Sequence, residues 1–180
     1  MITITIERAE RFSDVTNEFY TIEGGVYHLE HSLYSISKWE GKYHKSFIET
    51  TNKSAEETLD YYSMMNLDDS YFNPLELTNE QAKQIADYIN DSATAQKFYE
   101  DERNNKVPSK EIITSELVYY WMSALNIPME CQYWHFNKLT ALIRLASIKN
   151  APEEKETKEE ALKRTRDTNL AMRAKYSKKK

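Results

Sequence analysis

The chain is short of the residues that interrupt helices: 180 positions hold only 3 Gly and 4 Pro. So thin a supply of turn formers disfavours a loop-rich all-β architecture and favours helices. A single cysteine, Cys131, excludes an internal disulfide and suits a reducing compartment. No run of about 18 uninterrupted apolar residues occurs, so no membrane-spanning helix is expected. The sequence also lacks a Gly-rich phosphate loop, G-x-G-x-x-G, G-K-[ST] and H-E-x-x-H, an absence that argues against a cofactor-dependent enzyme.

What is present is polar overall and aromatic in places. The mean hydropathy is -0.76, yet hydrophobic residues make up 40% and aromatics 12%, so the apolar residues must be concentrated in a few segments. The length suits one domain with an appendage, since a core of roughly 100–150 residues is the common size. The net charge of -5 conceals an asymmetry: residues 151–180 carry ten Lys/Arg and six Asp/Glu, a net of +4, which leaves -9 for residues 1–150. An acidic body argues against nucleic-acid binding by that body.

The N-terminal third reads as β. Ile2, Ile4 and Ile6 alternate with Met1, Thr3 and Thr5, a period of two without the basic start of a signal peptide, which predicts a cytoplasmic protein. Residues 18–22 and 26–30 flank Glu23-Gly24-Gly25, which predicts a hairpin turn there and an antiparallel sheet of three strands at most. From Ser32 the period becomes helical, with Leu33, Ile36 and Trp39 on one face and Gly41 as the expected stop. Ser54-Ala55-Glu56-Glu57 is a capping box opening a helix to about Asn66, with Leu59, Tyr62 and Met65 on one side. Thr78-Asn79-Glu80-Gln81 opens another, with Ala82, Ile85 and Ile89 inward.

Residues 101–106 read as a polar loop, and Val107-Pro108-Ser109 as the start of a helical hairpin with Ser109 as its N-cap. Its first helix, residues 112–125, is apolar around nearly its whole circumference and is expected to be largely buried. A hinge at Asn126-Ile127-Pro128 leads to a second helix carrying Tyr133, Trp134, Phe136, Leu139, Leu142, Ile143, Leu145 and Ile148. The fold class is therefore α+β: a small N-terminal antiparallel sheet, a mainly helical domain and a charged C-terminal helix or tail. Residues 1–150 form one domain, β-rich over 1–31 and helical over 32–150. Residues 151–180, acidic in front and basic behind, form a helix or a disordered tail.

Few groups suggest covalent chemistry. Cys131 and His135 are four apart on the expected second helix and would share a face, but zinc needs four ligands and only His28 and His31 are near candidates elsewhere. A cysteine nucleophile would need a base and an orienting group, and His135 lies among Tyr133, Trp134 and Phe136, a packing environment. The carboxylate pairs Asp68-Asp69 and Asp101-Glu102 read as solvated charge. No catalytic, metal or cofactor-binding residue is assigned. A helix-hinge-helix reading of DNA would rest on Lys138 and Arg144, with Gln132 and Asn137 as base readers. The aromatic excess points instead to a protein-binding surface, with Tyr119, Tyr120, Trp121, Tyr133, Trp134 and Phe136 as its candidate residues.

Two stretches carry a resemblance. One is residues 29–40, Leu-Glu-His-Ser-Leu-Tyr-Ser-Ile-Ser-Lys-Trp-Glu; the other runs from Glu111 to Met122 and on through Leu125-Asn126-Ile127-Pro128 and Trp134-His135-Phe136-Asn137-Lys138-Leu139 to Ile148-Lys149-Asn150. Together they resemble the tail assembly chaperones of tailed bacteriophages, over most of residues 29–150. The resemblance implies a non-enzymatic assembly factor without cofactors. Such a factor acts in the host cytoplasm on the phage tape measure protein and the tail tube protein. A structural tail or connector protein of the virion is the alternative, and self-association is left open.

Overall fold

The computed structural model describes residues 1–14, 16–68, 70–98 and 111–150, together with 162, 165, 166, 168 and 169. The chain divides into two compact units, Met1–Lys149 and Asn150–Lys180. Of the second, the described positions are helical. The first is α+β, as the sequence predicts. Among the described residues no helix is long and apolar enough to cross a membrane.

The β part has four strands rather than three, and they form one long hairpin whose ladder is interrupted midway. Strands β1 (Ile2–Ile6) and β4 (Gly25–Leu29) pair antiparallel, with Ile6 opposite Gly25. Strands β2 (Ala9–Ser13) and β3 (Glu18–Ile22) pair in the same register, with Ala9 opposite Ile22. Glu23-Gly24-Gly25 is therefore not the turn. The turn follows Ser13, and on its far side Asn17 takes a left-handed φ of 55° and donates its N–H to the Ser13 carbonyl at 2.8 Å. Gly24 marks the break between the two ladders. Its φ is +71°, and a Cβ there would lie 2.6 Å from the Ile6 carbonyl oxygen, so no side chain fits. Ile4, Ile6, Tyr27 and Leu29 turn inward from the inner ladder, whereas Phe12, Phe19 and Tyr20 of the outer one are exposed.

Ser32 caps α1 (Leu33–Tyr43), its hydroxyl accepting from the Ser35 N–H at 3.1 Å. Leu33, Ile36 and Trp39 are fully buried, as their spacing predicts. Gly41 does not stop the helix; it lies inside it, and the chain leaves at His44, whose φ of 54° is left-handed. Both predicted capping boxes form, at Ser54 before α2 (Ala55–Met64) and at Thr78 before α3 (Asn79–Asn90). Each N-cap contributes about 1 kcal/mol to its helix. After α2 the chain returns to β4: the Glu30 N–H donates to the Met65 carbonyl at 2.9 Å and the Leu67 N–H to that of His28 at 3.0 Å. Asp68 is not mere solvated charge. Its Oδ2 accepts from the His28 N–H at 2.8 Å, and that backbone bond holds its carboxyl below the usual range. Asp69, Asp101 and Glu102 lie outside the described residues.

The helical hairpin is shorter than predicted. Helix α4 (Ser115–Ala124) is capped by Thr114, with residues 111–114 irregular before it; Ser109 lies outside the described residues. The hinge holds: Asn126 takes φ 54°, and the buried Ile127 donates its N–H to the Met122 carbonyl at 2.9 Å. Residues Met129–Tyr133 then form a 3-10 turn, and α5 (Phe136–Asn150) starts only after it. Cys131 and His135 thus sit in different elements and share no helix face. One core takes in β1, β4, Ile22 of β3 and helices α1 to α5, with Ile85, Met122 and Leu139 fully buried within it.

Candidate protein-binding surface

The hairpin α4–α5 is fixed from behind by a carboxylate that no local pattern signals. Glu40, buried on α1, accepts from the Phe47 N–H at 2.8 Å through Oε1 and from the Ser115 N–H at 2.6 Å through Oε2. Ser115 is the first residue of α4, so the carboxylate meets the free amides and positive dipole end of that helix. At the other end of the hairpin, Phe136 donates its N–H to the His31 carbonyl at 2.7 Å, and Ser32 and His135 form an isolated bridge.

His31 and His135 meet edge to face, with ring centres 5.2 Å apart. The Nε2 of His135 lies 3.0 Å from the Tyr88 carbonyl, which can only accept, so that nitrogen carries the proton. Its Nδ1 accepts from the Asn137 N–H at 3.3 Å. Tyr61 hydrogen-bonds Nδ1 of His31, and burial keeps the Tyr61 phenol protonated, so the phenol donates. Burial first, then His135 and Lys53, pushes the His31 pKa down to about 3. A general base works best with a pKa near the operating pH, so this imidazole is placed to pack and accept rather than to shuttle protons. A cleft of about 250 Å³ opens beside it, with Lys53 on its rim. The Lys53 ammonium is already engaged, donating to the carbonyls of Phe47 and Thr50 at 2.7 and 2.6 Å. Among the described residues no three His, Cys, Asp or Glu side chains are grouped to hold a metal ion. Burial raises the Cys131 thiol pKa, the opposite of what activates a thiolate.

The six candidate aromatics divide. Phe136, 8% exposed, belongs to the core and stacks edge-on against His31 at 5.7 Å. Trp121 and Tyr119 are half-buried against the core, and the Tyr119 hydroxyl donates to Gln132 Oε1 at 2.8 Å. Tyr120, Tyr133 and Trp134 face solvent, at 67%, 47% and 39% exposure. Helix α4 is therefore less buried than its composition predicts: Val118 and Met122 fill its inward side, and Tyr120 stands on the outer one. Tyr133 leans on Tyr34 with ring centres 5.2 Å apart, and Lys138 lies 4.4 Å from the Trp134 ring centre.

Sequence reasoning missed the outer side of α5. Phe136, Leu139 and Ile143 point inward, while Ala141, Leu142 and Leu145 line a groove of about 180 Å³ with Trp134, Lys138, Thr94 and Gln96. The signal was there in the spacing, since Lys138, Leu142, Leu145 and Lys149 recur at four, three and four residues. The helix carries three cations and no carboxylate. Comparison with known proteins adds nothing to this picture: no protein-family model matches the chain, and neither a curated protein nor a solved structure does.

Proposed function

We propose that the protein is a tail assembly chaperone of a tailed bacteriophage, a non-catalytic factor that binds the tape measure protein, the tail tube protein or both in the host cytoplasm. The reading starts from the resemblance over residues 29–150 and is supported by one observation. The hairpin has filled its own core with Val118, Met122, Leu139 and Ile143, and it still leaves Tyr120, Tyr133 and Trp134 in solvent. Rings of that size with polar handles are the residues enriched where proteins meet. Gln132 and Asn137 add no support to DNA reading: the first accepts from Tyr119, and the second donates to the carbonyls of Ile89 and Asp91.

The test is capture of the tagged chain from infected cells, compared with the composition of purified particles by mass spectrometry. The chaperone reading predicts tape measure or tube protein in the captured fraction and no copies of the chain in particles. Stoichiometric presence in particles would instead make it a structural virion component.

A further inference from the structure

We propose that the outward face of α5 seats an amphipathic helix of a partner protein, one whose apolar ridge is flanked by Asp or Glu. The proposal rests on the client-binding reading above and names the chemistry of the segment bound. At 100° per residue, Lys138, Leu142, Leu145 and Lys149 fall within one narrow stripe, about 60° wide and roughly 16 Å long. The inward residues Phe136, Leu139 and Ile143 lie on another side of the same helix; of the stripe's two leucines, half-buried Leu142 also touches the core, and half-buried Leu145 lines the groove. Ile148, 57% exposed, extends the stripe, and Trp134 closes its N-terminal end.

Charge specifies the occupant. Residues 1–150 total -9, yet α5 contributes Lys138, Arg144 and Lys149 with no carboxylate. Three cations elsewhere have a carboxylate beside them: Lys42 pairs with Asp60, Lys45 with Glu57 and Arg8 with Glu23. Among the described residues no carboxylate pairs with Lys138, Arg144 or Lys149; Lys138 and Arg144 lie instead over the rings of Trp134 and Phe98, each at 4.4 Å. An acidic helix is repelled by most of this surface and drawn to one stripe, with leucines between the lysines to receive its apolar ridge. Rows of side chains at this spacing pack ridge into groove against another helix.

The test uses the full chain and two synthetic 20-residue helical peptides with the same Leu ridge, one flanked by Glu and the other by Lys, followed by fluorescence anisotropy at low salt. The Glu peptide should bind at least tenfold more tightly than the Lys peptide. The double variant Lys138→Glu/Lys149→Glu should reverse that order, and Leu145→Glu should weaken both more than tenfold with an unchanged circular dichroism spectrum. Equal binding of the two peptides, or binding of neither, overturns the proposal. So does a concentration-dependent dimer of the chain alone that Leu145→Glu abolishes, since the face would then belong to a second copy. Loss of peptide binding alongside retained capture of tape measure protein would refute this face and leave the chaperone reading standing. The peptide pattern without any tail protein captured would do the reverse.

Discussion

Helices α1 and α5 are both amphipathic and both touch the core, but they spend their side chains differently. Helix α1 seals Leu33, Ile36 and Trp39 inside, places Glu40 on two backbone amides, and hands Lys42 to Asp60. The Trp39 indole N–H donates to the Glu57 carbonyl at 2.9 Å, so even its polar atom is used. Helix α5 fills one side and keeps a second apolar side, with Lys138 and Lys149 facing no carboxylate among the described residues. The contrast separates what holds the molecule together from what it has left for another molecule: α1 gives its large apolar residues and Glu40 to the fold, and α5 keeps Leu145 and Ile148 outside the buried core.

That contrast can be broken at several strengths. Trp39→Ala should be the most damaging change, costing about 3–5 kcal/mol in chemical denaturation, because removing a fully buried indole leaves a cavity. Glu40→Ala should cost about 2 kcal/mol by stranding the N–H groups of Phe47 and Ser115. Acidification gives the next effect. His31 is held neutral with its folded pKa depressed to about 3, against 6.5 when unfolded. Below pH 6.5 the unfolded chain takes up a proton that the folded chain refuses, so stability falls as pH falls. The loss between pH 6.5 and pH 5 should be about 1.5 kcal/mol, and it should vanish from the slope in His31→Gln. A stability flat across that window in the wild type would contradict the buried, neutral assignment. The smallest effects belong to the outer faces: Leu145→Glu, at a half-buried position, should lower stability by about 1 kcal/mol, and Tyr120→Ser, at an exposed one, should change it by about 0.5 kcal/mol or less. A large loss for Leu145→Glu would show that the second face of α5 is structural after all.

The parts of the fold legible in the sequence were those specified locally. The capping boxes at Ser54 and Thr78 and the Leu33-Ile36-Trp39 spacing each contain their whole signal within a few residues. The strand arrangement was misread because Gly24-Gly25 looks like a turn. What decides the pairing is register over the long hairpin, with the actual turn between β2 and β3, where Asn17 takes the left-handed φ. Gly41 was misread for a similar reason: glycine is tolerated in a helix, and the left-handed exit falls on His44 instead. Glu40 was illegible because nothing near it in sequence reveals that it will meet the start of α4, 75 residues away. Of the site, the exposed rings Tyr120, Tyr133 and Trp134 were found by residue type, and Phe136 was grouped with them although packing against His31 uses it up. The α5 stripe is legible in the spacing of Lys138, Leu142, Leu145 and Lys149, and the three-dimensional placement adds that Leu142 and Leu145 line a groove.

The most direct test of this account compares wild type with the Lys138→Glu/Leu145→Glu double variant, first matched for thermal midpoint, in capturing tape measure protein co-produced in the same cells. The account predicts that the wild type retains tape measure protein and that the equally stable double variant loses it. Equal capture by both would contradict the claim that the outer face of α5 is where the client is held.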